Sequence, residues 1–223
     1  MRLLVLTLLL FQSSLALCEE WELLVQKHGI EVYGAHETKD GLIPFRSKAI
    51  LNHPFERVLT VLLDADRKPE WSPKLKSTKV HKKISNTSYI LSEYYNTPWP
   101  ATDREFLMLG ELFPEKDKFT LTAKTYIDPK LADKDHIQVD IRKLVVTIEK
   151  INETQTAFEF IFLGDMKGLM PAWLVNLIQK QWPFKFIKRL NTQLEKDDIV
   201  PGQIFKDIDW RNQTTPDKYN KSN

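Results

Sequence analysis

The chain has 223 residues, and 32 Lys+Arg against 30 Asp+Glu give a formal charge of +2. That length fits one domain with terminal extras, and the near balance of charge excludes the basic footprint of a nucleic-acid binder. Seven glycines, none in a phosphate-cradling spacing, and a single cysteine exclude nucleotide loops, C-x-x-C zinc or redox sites and an internal disulfide framework.

The N-terminus reads as an export signal. Met1-Arg2 is a short positive region, Leu3 to Phe11 an apolar run, and Ser14-Leu15-Ala16 offers small residues for cleavage. Ala16-Leu17-Cys18, cut before Glu19, is a second site. The apolar stretch is shorter than the roughly 20 residues a membrane span needs. Leu15-Ala16-Leu17-Cys18 also has the outline of a bacterial lipobox, which would make Cys18 a lipid anchor. The expected division is a signal peptide at 1–18, a domain at 19–198 and a polar tail at 199–223. The expected location is outside the cytoplasm: periplasmic in a Gram-negative source, secreted otherwise. Four N-x-[ST] sequons, at Asn86, Asn152, Asn212 and Asn220, would be glycan acceptors only in a eukaryote.

Glu19 to Lys27 predicts a short helix ended by Gly29. Ile30 to His36 and Ile43 to Leu51 predict strands joined by the polar turn Thr38-Lys39-Asp40-Gly41. Asn52-His53-Pro54 predicts a helix start, Asn52 or His53 as the cap and Pro54 in the first turn, with Phe55, Val58, Leu59, Leu62 and Leu63 at helical spacing and a break at Lys68-Pro69. From there the period becomes two. Strands are predicted at Leu75–Ile84, Ser88–Tyr95, Arg104–Phe113, Lys118–Tyr126, Ile137–Ile151 and Thr156–Leu163. Pro171 to Lys196 predicts a long helix with a broad apolar face, kinked at Pro183. The order fits an α+β fold: a curved antiparallel β-sheet wrapped around a long C-terminal α-helix, enclosing a hydrophobic cavity.

Four segments then occur in a telling order: Gly29-Ile30-Glu31-Val32-Tyr33, Asp66-Arg67-Lys68-Pro69-Glu70-Trp71, Pro98-Trp99-Pro100-Ala101-Thr102-Asp103-Arg104-Glu105-Phe106, and Pro171-Ala172-Trp173-Leu174-Val175-Asn176 with Pro183 beyond. Together they resemble the START (steroidogenic-acute-regulatory-related lipid-transfer) family over Trp21 to about Lys196. The resemblance implies the helix-grip fold and one lipid bound in the enclosed tunnel: a phospholipid, fatty acid or sterol-like molecule that the protein carries or presents. It implies no cofactor and no metal. The family's usual Arg-Asp is Arg104-Glu105 here, and the Arg that sterol-binding members carry six positions further on is Gly110, which removes a sterol-type anchor.

Alternation places Arg104, Phe106 and Met108 on one strand face, so Arg104 needs a carboxylate or several acceptors. Glu93 on the preceding strand is the expected partner; the pair either anchors a ligand head group or ties the Pro-rich loop to the sheet. Phe158, Phe160 and Phe162 alternate on the last strand, and Met166 and Met170 flank the connection to the long helix. With Tyr95, Trp173, Leu174, Leu177 and Ile178 they complete the expected cavity wall, where ordinary core is the alternative reading. Lys74, Lys76, Lys79, Lys82 and Lys83, and Lys180, Lys185, Lys188 and Arg189, form basic segments: solvated faces or a transient membrane contact. The Asp128–Asp135 loop and Gly164–Gly168 are the expected gates. A monomer without nucleic-acid partners is expected. An enzyme of cyclase-like or hydrolytic type using the same cavity is the alternative, but the five histidines are scattered and no nucleophile motif is present.

Overall fold

In a computed structural model, residues 21–35 and 42–200 are described. The expected export segment with Cys18, the Thr38–Gly41 turn and all but the first two residues of the expected tail lie outside them. Three strands come first: β1 (Glu22–Lys27), β2 (Ile30–Gly34) and β3 (Ile43–Leu51). Two short helices follow, α1 (Phe55–Leu63) and α2 (Lys68–Trp71). Then come β4 (Leu75–Ser85), β5 (Ser88–Tyr95), β6 (Arg104–Pro114), β7 (Lys118–Thr125), β8 (Ile137–Gln138), β9 (Asp140–Asn152) and β10 (Gln155–Asp165). The C-terminal helix is α3 (Ala172–Asn176), a π-helical turn (Leu177–Gln181) and α4 (Trp182–Leu194).

The strands form one open, curved sheet in the order β1-β2-β3-β10-β9-β7-β6-β5-β4, antiparallel along that path. β8 departs from the expected single strand at Ile137–Ile151: it pairs in parallel with the start of β6, Arg104 opposite Ile137. The C-terminal helix lies in the concave face. Phe186, Ile187, Leu190 and Leu194 join Val32, Phe45, Phe158 and Ile148 of the sheet and Val58 and Leu59 of α1 in one core. Leu190 and Leu194 are fully buried; truncating either to alanine would cost about 2–5 kcal/mol.

Three local expectations are corrected. Glu19–Lys27 was expected to be helical, but Glu22–Lys27 is an edge strand. His28 (φ 53°) and Gly29 (φ 72°) both lie in the left-handed region and turn Lys27 back onto Ile30, the backbone a tight two-residue hairpin demands. The helix after Pro54 ends at Leu63 rather than running to Lys68. Pro54 itself occupies its N-cap position, and no side chain caps it, so neither Asn52 nor His53 does so. Asp64 Oδ1 accepts the Arg67 N–H at 3.1 Å, and a new helix starts with Pro69 in its first turn. Finally, the bend expected at Pro183 is absorbed one turn earlier. Pro183 cannot donate to the preceding turn, and the Trp182 N–H reaches back five residues to Leu177 O, widening the helix there.

Candidate functional site: an apolar cavity in the grip of the sheet

Between the sheet, α1–α2 and the C-terminal helix lies a cavity of about 410 Å³, within the roughly 300–1,000 Å³ range of small-molecule sites. Period-two alternation builds its wall. On β5 the inward residues are Tyr89, Leu91, Glu93 and Tyr95; on β6 they are Arg104, Phe106, Met108, Gly110 and Leu112. From Tyr89 to Tyr95 the wall runs about 20 Å along the strand. α4 packs against β2 and β3, so the opposite limb of the sheet, β4 to β6, stands clear of it. That gap is the cavity.

Of the expected wall residues, Glu93, Tyr95, Arg104, Phe106, Met108, Phe160, Phe162, Met166, Met170, Leu174, Leu177 and Ile178 border the space. Two do not. Phe158 lies deeper, against Phe186 at 6.3 Å between ring centroids, in the solid core. Trp173 is 47% exposed on the outer side of α3, because Leu174 takes the inward position of that turn. The expectation missed Lys68, Trp71 and Trp182, which also line the space. Trp182 donates its indole N–H to Pro73 O at 3.0 Å and meets Phe45 in a tilted contact and Phe160 edge-on, both at 5.8 Å between centroids. Its place in the long helix's apolar face was the available signal.

The polar groups are arranged differently from the expected Glu93–Arg104 pair. Glu93 accepts the Lys68 ammonium on Oε1 and the Tyr95 hydroxyl on Oε2 at 2.7 Å. Burial first, and then the Glu93 carboxylate, push the Tyr95 phenol well above its ordinary range, so it remains a donor. Lys68 has two further N–H donors to offer the cavity. Arg104, fully buried, meets no carboxylate among the described residues. Its guanidinium donates to the carbonyls of Thr102, Met166 (3.2 Å), Lys167 (2.7 Å) and Leu169 (3.3 Å). Burial pulls its pKa down from the ordinary value, opposed by the neighbouring Asp103 carboxylate. Arg104 therefore ties the end of the Pro-rich loop to the connection between β10 and α3; acceptors in a fixed fork replace the expected acid.

The expected gate at 128–135 is also displaced. Glu105 points to the convex face, opposite to Arg104, and accepts the Asp133 N–H at 2.7 Å and the Gln138 amide. The loop is thus fastened behind the sheet, and none of its residues borders the cavity. Gly164–Gly168 contributes Met166 to the wall.

A fold of this shape serves several chemistries, and comparison with known proteins decides the family. A model of the START domain matches residues 6–197. The chain belongs to the START domain family. The match begins inside the segment read as an export signal. Among curated proteins, the START chain is 23% identical over 175 residues to human phosphatidylcholine transfer protein, covering 76% of this chain and 81% of that one. Among solved structures, human STARD10 superposes with a TM-score of 0.73 at 19% identity, over 81% of this chain and 76% of the other. A STAR-related lipid transfer protein from Xanthomonas axonopodis gives a TM-score of 0.68 at 22% identity, over 79% and 99%. The helix-grip architecture is thereby shared with both.

Proposed function

We propose that this START protein binds one lipid in the cavity and carries or presents it, without chemistry on the ligand. The observation that carries the reading is the cavity's size and lining. An apolar space of about 410 Å³ holds water poorly, because water there finds few polar partners on the wall. Such a space is consistent with a ligand of complementary hydrocarbon surface. About 400 Å² of hydrocarbon removed from water yields on the order of 10 kcal/mol, against about 1 for a neutral hydrogen bond. Apolar burial holds the ligand, while Lys68, Glu93 and Tyr95 discriminate its polar end. Lys68 favours a ligand with acceptor oxygens, such as a phospholipid. The relative named for phosphatidylcholine transfer supports the same class.

The described histidines support the non-enzymatic reading. None borders the cavity. His81 Nε2 does contact Ser92 Oγ at 2.8 Å, but Ser92 is fully buried and faces away from the cavity, out of reach of a substrate. Residues 1–18 support an extracytoplasmic site of action. A mature N-terminus at Leu17 or Glu19, read by N-terminal peptide sequencing, agrees with it; an intact Met1 in exported fractions contradicts it.

Transfer of a fluorescent phospholipid between vesicles tests the function. The wild type accelerates it, and Leu91→Trp, which puts an indole into the cavity, abolishes the acceleration while raising the melting temperature of ligand-free protein. Equal transfer by both proteins refutes the cavity as the carrier.

A further inference from the structure

The concave face is closed on one side by α4 and open on the other, and the open side has a distinctive rim. Its border is β4, an edge strand of the sheet. Val80 and Lys83 of β4, with Lys74 before it and Asn86 after it, are exposed at the surface and also line the cavity. The space therefore reaches solvent along this edge. β4 carries Lys76, Lys79, Lys82 and Lys83, all exposed, and no acidic residue. Lys74 extends the row. Between the lysines, Val80 and Ile84 are each 51% exposed. At the far end of the rim, in the β5–β6 loop whose Thr97 and Pro98 line the cavity, Trp99 stands 89% exposed.

Lysines on an edge strand also prevent edge-to-edge pairing of sheets, so the other edge is the control. β1 carries one lysine, Lys27, balanced by Glu22, and leaves Leu23 46% exposed. Protection of edges does not account for the difference. What separates β4 from β1 is that the cavity opens along β4. Cationic side chains interleaved with exposed aliphatic ones, ending at an amphipathic tryptophan, match the layered chemistry of a bilayer surface: anionic head groups outside, acyl boundary beneath.

We propose that the β4 rim is the surface by which the protein docks on an anionic lipid bilayer, with the cavity's open side turned to the membrane. The inference rests on the lipid-carrying reading of the cavity. It selects this face over the exposed lysines of the C-terminal helix, Lys180, Lys185 and Lys188, which line no opening.

Co-sedimentation of the full chain with vesicles tests it, using phosphatidylglycerol–phosphatidylcholine mixtures and pure phosphatidylcholine. The protein is expected to bind the anionic vesicles and to release from them as salt rises. The variant Lys76→Ser/Lys79→Ser/Lys82→Ser removes three cations that lie outside the cavity. Lys79 and Lys82 contribute about 1 kcal/mol each and Lys76, paired with Asp103 at 3.4 Å, less, so partitioning onto anionic vesicles falls on the order of 30- to 100-fold. Lys180→Ser/Lys185→Ser/Lys188→Ser leaves partitioning within a few-fold of wild type. Loading of phospholipid from a detergent dispersion, which needs no bilayer, stays normal in both, and so does the melting temperature. Undiminished vesicle binding by the β4 variant, or an equal loss in the helix variant, overturns the docking face. Failure of the wild type to load dispersed lipid would instead overturn the carrier reading beneath it.

Discussion

Glu93→Gln isolates the ion pair that the structure puts in the cavity wall. Glutamine keeps the shape and can still accept the Tyr95 hydroxyl, so the change falls on the Lys68 ammonium, which loses its carboxylate. Removing one partner of a fully buried pair costs about 3–5 kcal/mol. The Glu93 side chain is 6% exposed, but that of Lys68 is 23% exposed and recovers some solvation, which lowers the expected cost to about 2–3 kcal/mol. For a domain of this length that is a drop of roughly 5–10 °C in melting temperature. Lys68→Met alone should be destabilising as well, because it strands the carboxylate. The double variant Lys68→Met/Glu93→Gln should recover about 2 kcal/mol relative to the sum of the singles. Urea denaturation of delipidated protein at neutral pH measures all four corners of the cycle. If Glu93 served Arg104 instead, Lys68→Met would leave the cost of Glu93→Gln unchanged, and an additive cycle refutes the assignment.

The convex face gives an acid-sensitivity prediction. Burial alone would raise the Glu105 carboxyl, but the polar groups around it, Ser92, Gln138, the Asp133 N–H and Tyr94, outweigh it and hold it below its ordinary 4.5, Gln138 and the Asp133 N–H by hydrogen bonds to Oε2. A depressed carboxylate contributes stability that is complete above its unfolded value and is lost as pH falls through the folded one. The urea midpoint should therefore hold from neutral pH down to about 4.5 and then fall, and Glu105→Gln should lower the plateau and flatten that fall. An unchanged acid limb in the variant contradicts this. At Gly168 the backbone has φ 63°, and a Cβ would stand 2.5 Å from Ile137 Cδ1 and 3.5 Å from the Arg104 guanidinium. Gly168→Ala should cost about 1–2 kcal/mol for the left-handed backbone, plus the displacement of Ile137. Gly29→Ala, at φ 72° with open space around it, should cost only the backbone share. Calorimetry showing the two substitutions equal would refute the close packing around Arg104.

Most strands were legible because period-two alternation survives wherever one face of a sheet meets a core. β3 and β5 fall on their predicted bounds, and Arg104, Phe106 and Met108 share the cavity face as their spacing requires. What failed depended on partners far away in sequence. Leu24 lies where a Cβ on Gly34 would touch it at 2.6 Å, so β1 is fixed by a missing side chain on another strand. A glycine after nine residues of mixed pattern signals a helix end as readily as a hairpin turn. Arg104 was correctly read as needing acceptors, but whether they were carboxylates or carbonyls depended on where the 166–170 segment folds. Lys68 sat within a recognised motif, yet only the approach of α2 to β5 brings it to Glu93. Trp173 and Leu174 are adjacent, and which of them faces inward turns on the helix phase that the π-helical turn resets.

Native mass spectrometry of the full chain, purified without detergent and compared before and after organic extraction, tests the cavity most directly. The account predicts one bound lipid per chain, removed by extraction, restored by incubation with phospholipid vesicles, and missing from Leu91→Trp. A chain that carries no lipid as purified and takes up none from phospholipid, fatty acid or sterol would contradict it.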